Sequence, residues 1–217
     1  PLDVDESDPL LPQLIIDRPL SPQERRVLDS ALVELQLQAE TTYAEGDVLG
    51  AMDLWFRELR LRRVLGPREE VPALARVGEV AWKESQTTEV RLITQRLLEI
   101  EQEVQAQEPV DYALLLAIAD AYQKVRARAL AVALYDQVLA QARLTNDLVT
   151  QDLALRALAE LHLAWFDYPQ AAVAYRELLA VVRQYGDPLA EIDVLRQLAY
   201  AYGEGRMYEQ AIATRDE

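Results

Sequence analysis

The sequence predicts an all-α fold of stacked helical hairpins, and three observations predict it. First, a spacing returns: Ala119, Tyr122, Ala131 and Tyr135 recur forty residues on as Ala159, His162, Ala171 and Tyr175, then as Ala199, Tyr202 and Ala211, with Arg215 where the last ring would stand. The phase also runs backward, to Ala39, Ala51 and Trp55. A fixed period of this size marks repeats that bury their apolar faces only against one another. Second, Leu, Ala, Glu, Arg and Gln dominate, while only 7 Gly and 10 Pro occur, most Pro at junctions. That is the composition of helices, so almost no strand is expected. Third, apolar residues inside each repeat recur three and four apart, the helical period.

Residues 1–20 read as an extended, Pro-rich acidic leader, with Pro1, Pro9, Pro12 and Pro19 among Asp3, Asp5, Glu6 and Asp8. Such a segment resists helix and has little to bury. Its Leu10-Leu11 and Leu14-Ile15-Ile16 are placed to lie along the first helices and hide apolar surface at the open end of the stack. Residues 21–217 read as one domain of five repeats, 22–71, 72–110, 112–151, 152–191 and a truncated 192–217. Ser21-Pro22-Gln23-Glu24 opens the first helix, with Ser as cap, Pro at the first helical position and Glu closing a capping box. Leu28, Leu32, Leu35 and Ala39 follow at helical spacing, and Gly46-Asp47 separates them from a second helix with Ala51, Trp55 and Leu59.

Gly66-Pro67 and Pro72 mark the next junction. Repeat two is degenerate: Leu74, Val77, Gly78 and Ala81 keep the first-helix pattern, but Val90 and Thr94 hold the second-helix positions out of phase. Glu108-Pro109 closes it. Repeat three turns Leu115, Ile118, Ala119, Tyr122, Ala131, Tyr135 and Val138 inward. Thr145-Asn146-Asp147 caps repeat four, with Leu155, Leu158, Ala159, Ala171, Tyr175 and Leu178, and Gly186-Asp187-Pro188 ends it. Repeat five offers Leu195, Leu198, Ala199, Tyr202, Tyr208 and Ala211. Opening on Pro1 and ending inside a repeat, the chain reads as a trimmed or mature fragment.

Against 37 acidic side chains stand 22 basic ones, a net charge of −15 that disfavours nucleic acid and anionic bilayers and favours basic partners or cations. Without cysteine there is no disulfide, thiolate nucleophile or Cys-based zinc site, and the compartment stays open. No apolar run approaches the roughly 20 residues that span a membrane.

A small residue followed three on by an aromatic, then by Ala nine further and an aromatic four beyond, resembles the tetratricopeptide repeat. Ala119/Tyr122/Ala131/Tyr135, Ala159/His162/Ala171/Tyr175 and Ala199/Tyr202/Ala211 carry the match, with Tyr168 and Tyr208 three before the later Ala. It covers residues 22–217, strongly in the last three repeats and weakly in the second. The period departs from the usual length of about 34, as in a longer-helix branch, with about six residues added to the second helix and its following turn. Glu58 to Arg63 and His162 to Tyr168 are similar to cyanobacterial members, among them periplasmic processing-associated factors that engage the precursor D1 protein and supply manganese during photosystem II assembly. The resemblance implies a right-handed superhelix, an α-solenoid whose first helices line a concave groove holding an extended or helical client peptide. It also implies a periplasmic location, precursor D1 as client and manganese as a possible cofactor.

The residue after each small position is expected to face the groove: Glu40, Glu79, Asp120, Glu160 and Tyr200. Four residues earlier lie Gln36, Ala75, Leu116, Arg156 and Arg196, and three or four later Tyr43, Trp82, Lys83, Gln123, Lys124, Leu163 and Glu204. The four carboxylates read as a ladder for a basic or amide-rich peptide, as weak cation sites, or as the solvated face of an acidic protein. Trp82 reads as a groove anchor or as packing in an imperfect repeat. His162, the single histidine, reads as a packed, hydrogen-bonded substitute for tyrosine. Glu99, Glu101, Glu103, Glu108 and Asp111 read as a solvated helix end or an oxygen-ligand site for a divalent ion. No nucleophile elbow, phosphate loop, metalloprotease helix or Cys-His pair is present, so no enzymatic activity is expected. Three functions follow: a protein-interaction scaffold or assembly factor, a manganese-delivery protein, and an oligomeriser that associates end to end.

Overall fold

Ser21 starts the first helix as its sequence predicts. Its hydroxyl accepts from the Glu24 amide while the Glu24 carboxylate accepts from the Ser21 amide at 2.8 Å. From there a computed structural model describes an all-helical chain over residues 2–5, 7–11 and 20–216, the Asp216 side chain excepted. Pro1, Glu6, Pro12, Leu14, Ile15, Ile16, Pro19 and Glu217 lie outside the described residues. The elements are α1 (Pro22–Ala44), α2 (Val48–Arg63), α3 (Pro67–Lys83), α4 (Thr87–Gln105), α5 (Tyr112–Lys124), α6 (Arg128–Leu144), α7 (Leu148–Ala164), α8 (Tyr168–Tyr185), α9 (Pro188–Glu204) and α10 (Tyr208–Asp216). No strand occurs among the described residues. The chain falls into two compact units, Pro1–Ala127 and Arg128–Glu217.

In the first unit α1 packs on α2, α2 on α3, and α3 on both α4 and α5. Leu28, Leu32, Leu35 and Ala39 of α1 and Ala51, Trp55 and Leu59 of α2 are buried, in the phase read from sequence. The leader docks onto this pair. Leu11 joins Leu28, Leu32, Leu35 and Leu61, and Asp8 grips Arg57 through two hydrogen bonds of 2.7 and 2.9 Å. Those bonds hold the Asp8 carboxyl below the usual carboxylate range. The described leader is therefore a tied-down strap rather than a loose tail.

Two expectations in this unit are corrected. Pro72 marks no junction, because it lies on the exposed side inside α3, which starts at Pro67 after Gly66 at φ 97°. A proline inside a helix costs about 3 kcal/mol. Burying Val71, Leu74 and Val77 at roughly 1.5–3 kcal/mol each outweighs it. In α4 the core positions are Ile93, Leu97 and Ile100, all fully buried, while Val90 and Thr94 are only partly covered. The α4 core thus stands 38 residues before Ala131, Tyr135 and Val138, whereas Leu74, Val77, Gly78 and Ala81 stand 41 before their counterparts in α5. Repeat two keeps its burial by slipping phase.

In the second unit α6 packs on α7, α7 on α8, α8 on α9 and α9 on α10. The forty-residue step is kept closely: Ala131, Tyr135, Ala159, Ala171, Tyr175 and Ala199 are all buried. Helices α7 and α8 have 17 and 18 residues, so the long period is shared between both arms of the hairpin. Asp147 caps α7 through the Thr150 amide, and Asp187 caps α9. Repeat five departs from expectation: Tyr208 is 62% exposed, and Leu195 and Tyr202 are only partly buried. No helix follows α10 among the described residues to cover them.

The turn that follows each of α1, α3, α5, α7 and α9 carries one left-handed residue, Gly46, Ser85, Arg126, Phe166 and Arg206, with φ between 58° and 93°. This backbone device recurs at the repeat period although its residue type changes.

Candidate protein-interaction surfaces

In the first unit the predicted groove residues gather on α3, α5 and the end of α1. Trp82 lies at the exposed end of α3, with 48% of its surface open and the Arg126 guanidinium 4.7 Å above its ring centroid. Arg126 reaches this position because its left-handed backbone turns the chain just after α5. Trp82 is therefore a surface ring and not packing. Beside it the Lys124 ammonium pairs with Glu79 at 2.9 Å, and the Tyr43 hydroxyl donates to Glu84 across the gap between α1 and α3. That bond, with burial second, pushes the Tyr43 hydroxyl pKa up. Lys83 and Asp120 are exposed, and Leu116 and Gln123 are half-buried on α5. Glu40 is exposed on α1 and accepts from Gln36.

The first-unit acids are thus not a bare ladder. Glu79 is neutralised by Lys124 and Glu40 is hydrogen-bonded, leaving a mixed polar surface around one aromatic ring. Arg126 and Glu84 escaped the sequence reading because they lie in the turns after the helices and not at the helix positions it projected onto the groove. The acidic cluster also resolves into pairs. Glu99 and Glu103 approach Arg96, Glu101 accepts from the Tyr122 hydroxyl at 2.7 Å, and Asp111 caps α5 and pairs with Arg68. Burial, with Glu101 second, raises the Tyr122 pKa. Among the described residues no three or more His, Asp or Glu side chains converge as a metal site.

In the second unit Arg156 of α7 pairs with Asp152 at 3.2 Å and reaches Asp193 of α9 at 3.7 Å. Glu160 remains exposed, and Arg196 and Tyr200 lie on the open side of α9. His162 is largely enclosed. Its Nδ1 lies 3.3 Å from Arg128, which also donates to Asp167 at 2.6 Å. Desolvation chiefly, and the Arg128 charge, lower its pKa against the opposing pull of Asp167. The ring is thus a neutral, hydrogen-bonded stand-in for the tyrosine of neighbouring repeats. No described helix is long and apolar enough to cross a membrane.

Successive packed hairpins with open polar faces define a helical-repeat protein. No family model matches the chain, and no curated protein matches it. Among solved structures, the crystal structure of BtubC (BKLC) from P. vanneervenii is similar, with a TM-score of 0.57 and 16% identity, covering 89% of this chain and 80% of that one. At that identity the likeness establishes the helical-repeat fold alone.

Proposed function

We propose that this chain is a non-enzymatic interaction scaffold of the tetratricopeptide type, holding an extended, basic or amide-rich segment of a client protein against the Trp82 face of the first unit. The observation that carries the reading is Trp82 itself, half open to solvent yet held under Arg126 on a helix whose other side is core. Aromatic and arginine side chains dominate binding hot spots, and a ring fixed on a packed helix loses little freedom on binding. Glu84 at the end of α3 and the exposed Asp120 of α5 favour a cationic or amide-bearing segment. The cyanobacterial resemblance narrows the client to the precursor D1 protein and the compartment to the periplasm. Manganese delivery draws less support, because the clustered acids already hold arginines and a tyrosine.

The test is a titration of extended lysine-containing peptides, including one with the carboxyl-terminal sequence of precursor D1, followed by fluorescence. Trp82→Ala should weaken binding at least about tenfold, a change of about 1.4 kcal/mol, with unchanged helical circular dichroism. Reversing Glu79 and Asp120 to Lys should do likewise with or without manganese. Affinity indifferent to all three changes would overturn the reading.

A further inference from the structure

We propose that a cleft on the second unit, framed by α6, α7 and α8, seats a lysine side chain presented by a segment of a partner protein. The site is distinct from the Trp82 surface, which belongs to the first unit. The cleft holds about 350 Å³, and its floor is apolar, with Leu139, Leu155 and Leu158 at most 5% exposed. Val173 of α8, 39% exposed, adds an open apolar wall. Concave sites of roughly 300–1,000 Å³ with an apolar lining and a few placed polar groups are where folded proteins hold ligands.

The cleft lies where the repeat changes a ring. In the first unit Tyr122 of α5 is fully enclosed, and its hydroxyl donates to Glu101 of α4, the preceding helix, at 2.7 Å. Forty residues on, His162 of α7 lines the cleft beside α6, its own preceding helix, with a smaller ring and no hydroxyl. The phenol that closes the seam in one unit is thus missing in the other, and the leucines stay reachable. His162 does not repel a cation, because burial and Arg128 keep its ring neutral.

Charge complementarity selects the occupant. At the rim Arg143 pairs with Glu177, and the two charges cancel. Asp136 is left over, with no hydrogen bond or ion pair among the described residues. It is open to solvent on one side, yet burial raises its carboxyl pKa above the usual carboxylate range against the pulls of His162 and Arg143. A carboxylate that has lost part of its water gains from a cation brought to it. The acid is particular to this seam, since one repeat on Arg176 holds its position. A lysine fits both halves of the cleft, its apolar stem along the leucines and its compact ammonium at Asp136. Gln170 at the edge has a side-chain amide without a hydrogen bond among the described residues, able to donate to and accept from a peptide bond. That group favours a lysine carried by a chain over a free amine.

The probe is the peptide acetyl-Ala-Leu-Lys-Leu-Ala-amide, titrated into the full chain and followed on the imidazole proton signals of His162, the chain's single histidine. A saturable shift is expected. Asp136→Asn should weaken binding about fivefold, the upper end for a partly exposed ion pair. With a fluorescein label on the peptide and anisotropy as readout, His162→Tyr should weaken binding at least about tenfold with unchanged helical circular dichroism, because Tyr122 and Tyr202 already hold this repeat position. Asp136→Arg should turn the preference to a peptide with Glu in place of Lys. Trp82→Ala should leave the His162 shift unchanged, which separates failure here from failure of the Trp82 reading; loss of the shift in that variant would overturn this site. An unshifted His162, or affinity indifferent to both Asp136→Asn and His162→Tyr, would overturn it as well. So would a norleucine-for-lysine peptide, or n-hexylamine, binding as tightly as the lysine peptide.

Discussion

The two units join their hairpins by different means. In the first, charge is buried at the seams: Glu58 of α2, fully enclosed, is held by Arg62 at 2.7 Å and by Arg76 of α3 at 2.7 Å. Glu70 of α3, 1% exposed, takes two hydrogen bonds of 2.8 and 2.9 Å from Arg96 of α4. Desolvation opposes the Arg96 charge, but Glu70 and then Glu99 and Glu103 outweigh it and raise its pKa. In the second unit the buried polar residues described are Gln151 and Thr214, and each donates to a backbone carbonyl, at 3.1 and 2.8 Å. The rest of its buried seam is mainly Leu, Ala, Val and Tyr, and its ion pairs, Arg156 to Asp193 and Arg183 to Glu191, stand at the partly exposed rim.

The difference follows the phase slip. Where α3 and α4 leave the forty-residue register, small and aromatic residues no longer meet, and forked arginine pairs bridge the mismatch. Where the register holds, apolar residues meet unaided. Buried pairs tie one partner to the other more than they add net stability, since breaking one leaves an uncompensated charge. Glu70→Leu should therefore cost the first unit about 3 kcal/mol, the low end for a broken buried pair because Glu99 and Glu103 still approach Arg96. Glu70→Leu with Arg96→Leu should recover most of it. Denaturant curves read from Trp55 and Trp82 for the first unit and Trp165 for the second, in single-tryptophan variants, check this. Equal losses at both reporters would break the distinction between units.

A smaller effect tests the same contrast at one repeat position. Gly78 in α3 stands where Ala119 and Ala159 stand later. A Cβ on Gly78 would lie 2.4 Å from Val125 Cγ1 and 3.3 Å from Ile93 Cγ2. Val125 is 3% exposed and, being β-branched, is stiff at χ1, so it yields poorly. Overpacking costs about 1–3 kcal/mol and the gain in helix propensity is at most about 1. Gly78→Ala should thus destabilise the first unit by about 1 kcal/mol, while Ala159→Gly should destabilise the second by a similar amount. Stabilisation by Gly78→Ala would mean that the slipped seam has room to relax.

Much of the fold was legible because the period, the caps and the apolar spacing are local. Ser21, Asp47, Asp147 and Asp187 sit at helix starts, each Ala of the strict repeats is buried, and Asp111, read as part of an acidic cluster, proves to cap α5. What escaped depends on meetings between distant residues. The Glu58 and Glu70 pairs look in sequence like ordinary surface charge, and repeat two hid its core because Ile93, Leu97 and Ile100 answer to a 38-residue step. Trp82 was placed on the correct helix end, but Arg126, 44 residues away, made it a surface feature.

The hairpin turns escaped for a different reason, and they supply the smallest prediction. Ser85 in the first unit and Arg206 in the second hold φ of 58° and 60°, as Gly46 holds 93° between α1 and α2. A side chain in the left-handed region costs roughly 1 kcal/mol, so the backbone position is conserved from repeat to repeat while the residue is not. Sequence reading looks for glycine at such turns and finds it only once in five. Gly gives back part of that gain through the freedom it adds to the unfolded chain. Ser85→Gly and Arg206→Gly should therefore each stabilise by about 0.5 kcal/mol, equally in the two units, by the same tryptophan reporters. An equal gain would assign the turn to the shared hairpin and the buried charge to the first unit alone. A gain confined to the second unit would mean that the phase slip reaches the turn as well as the seam.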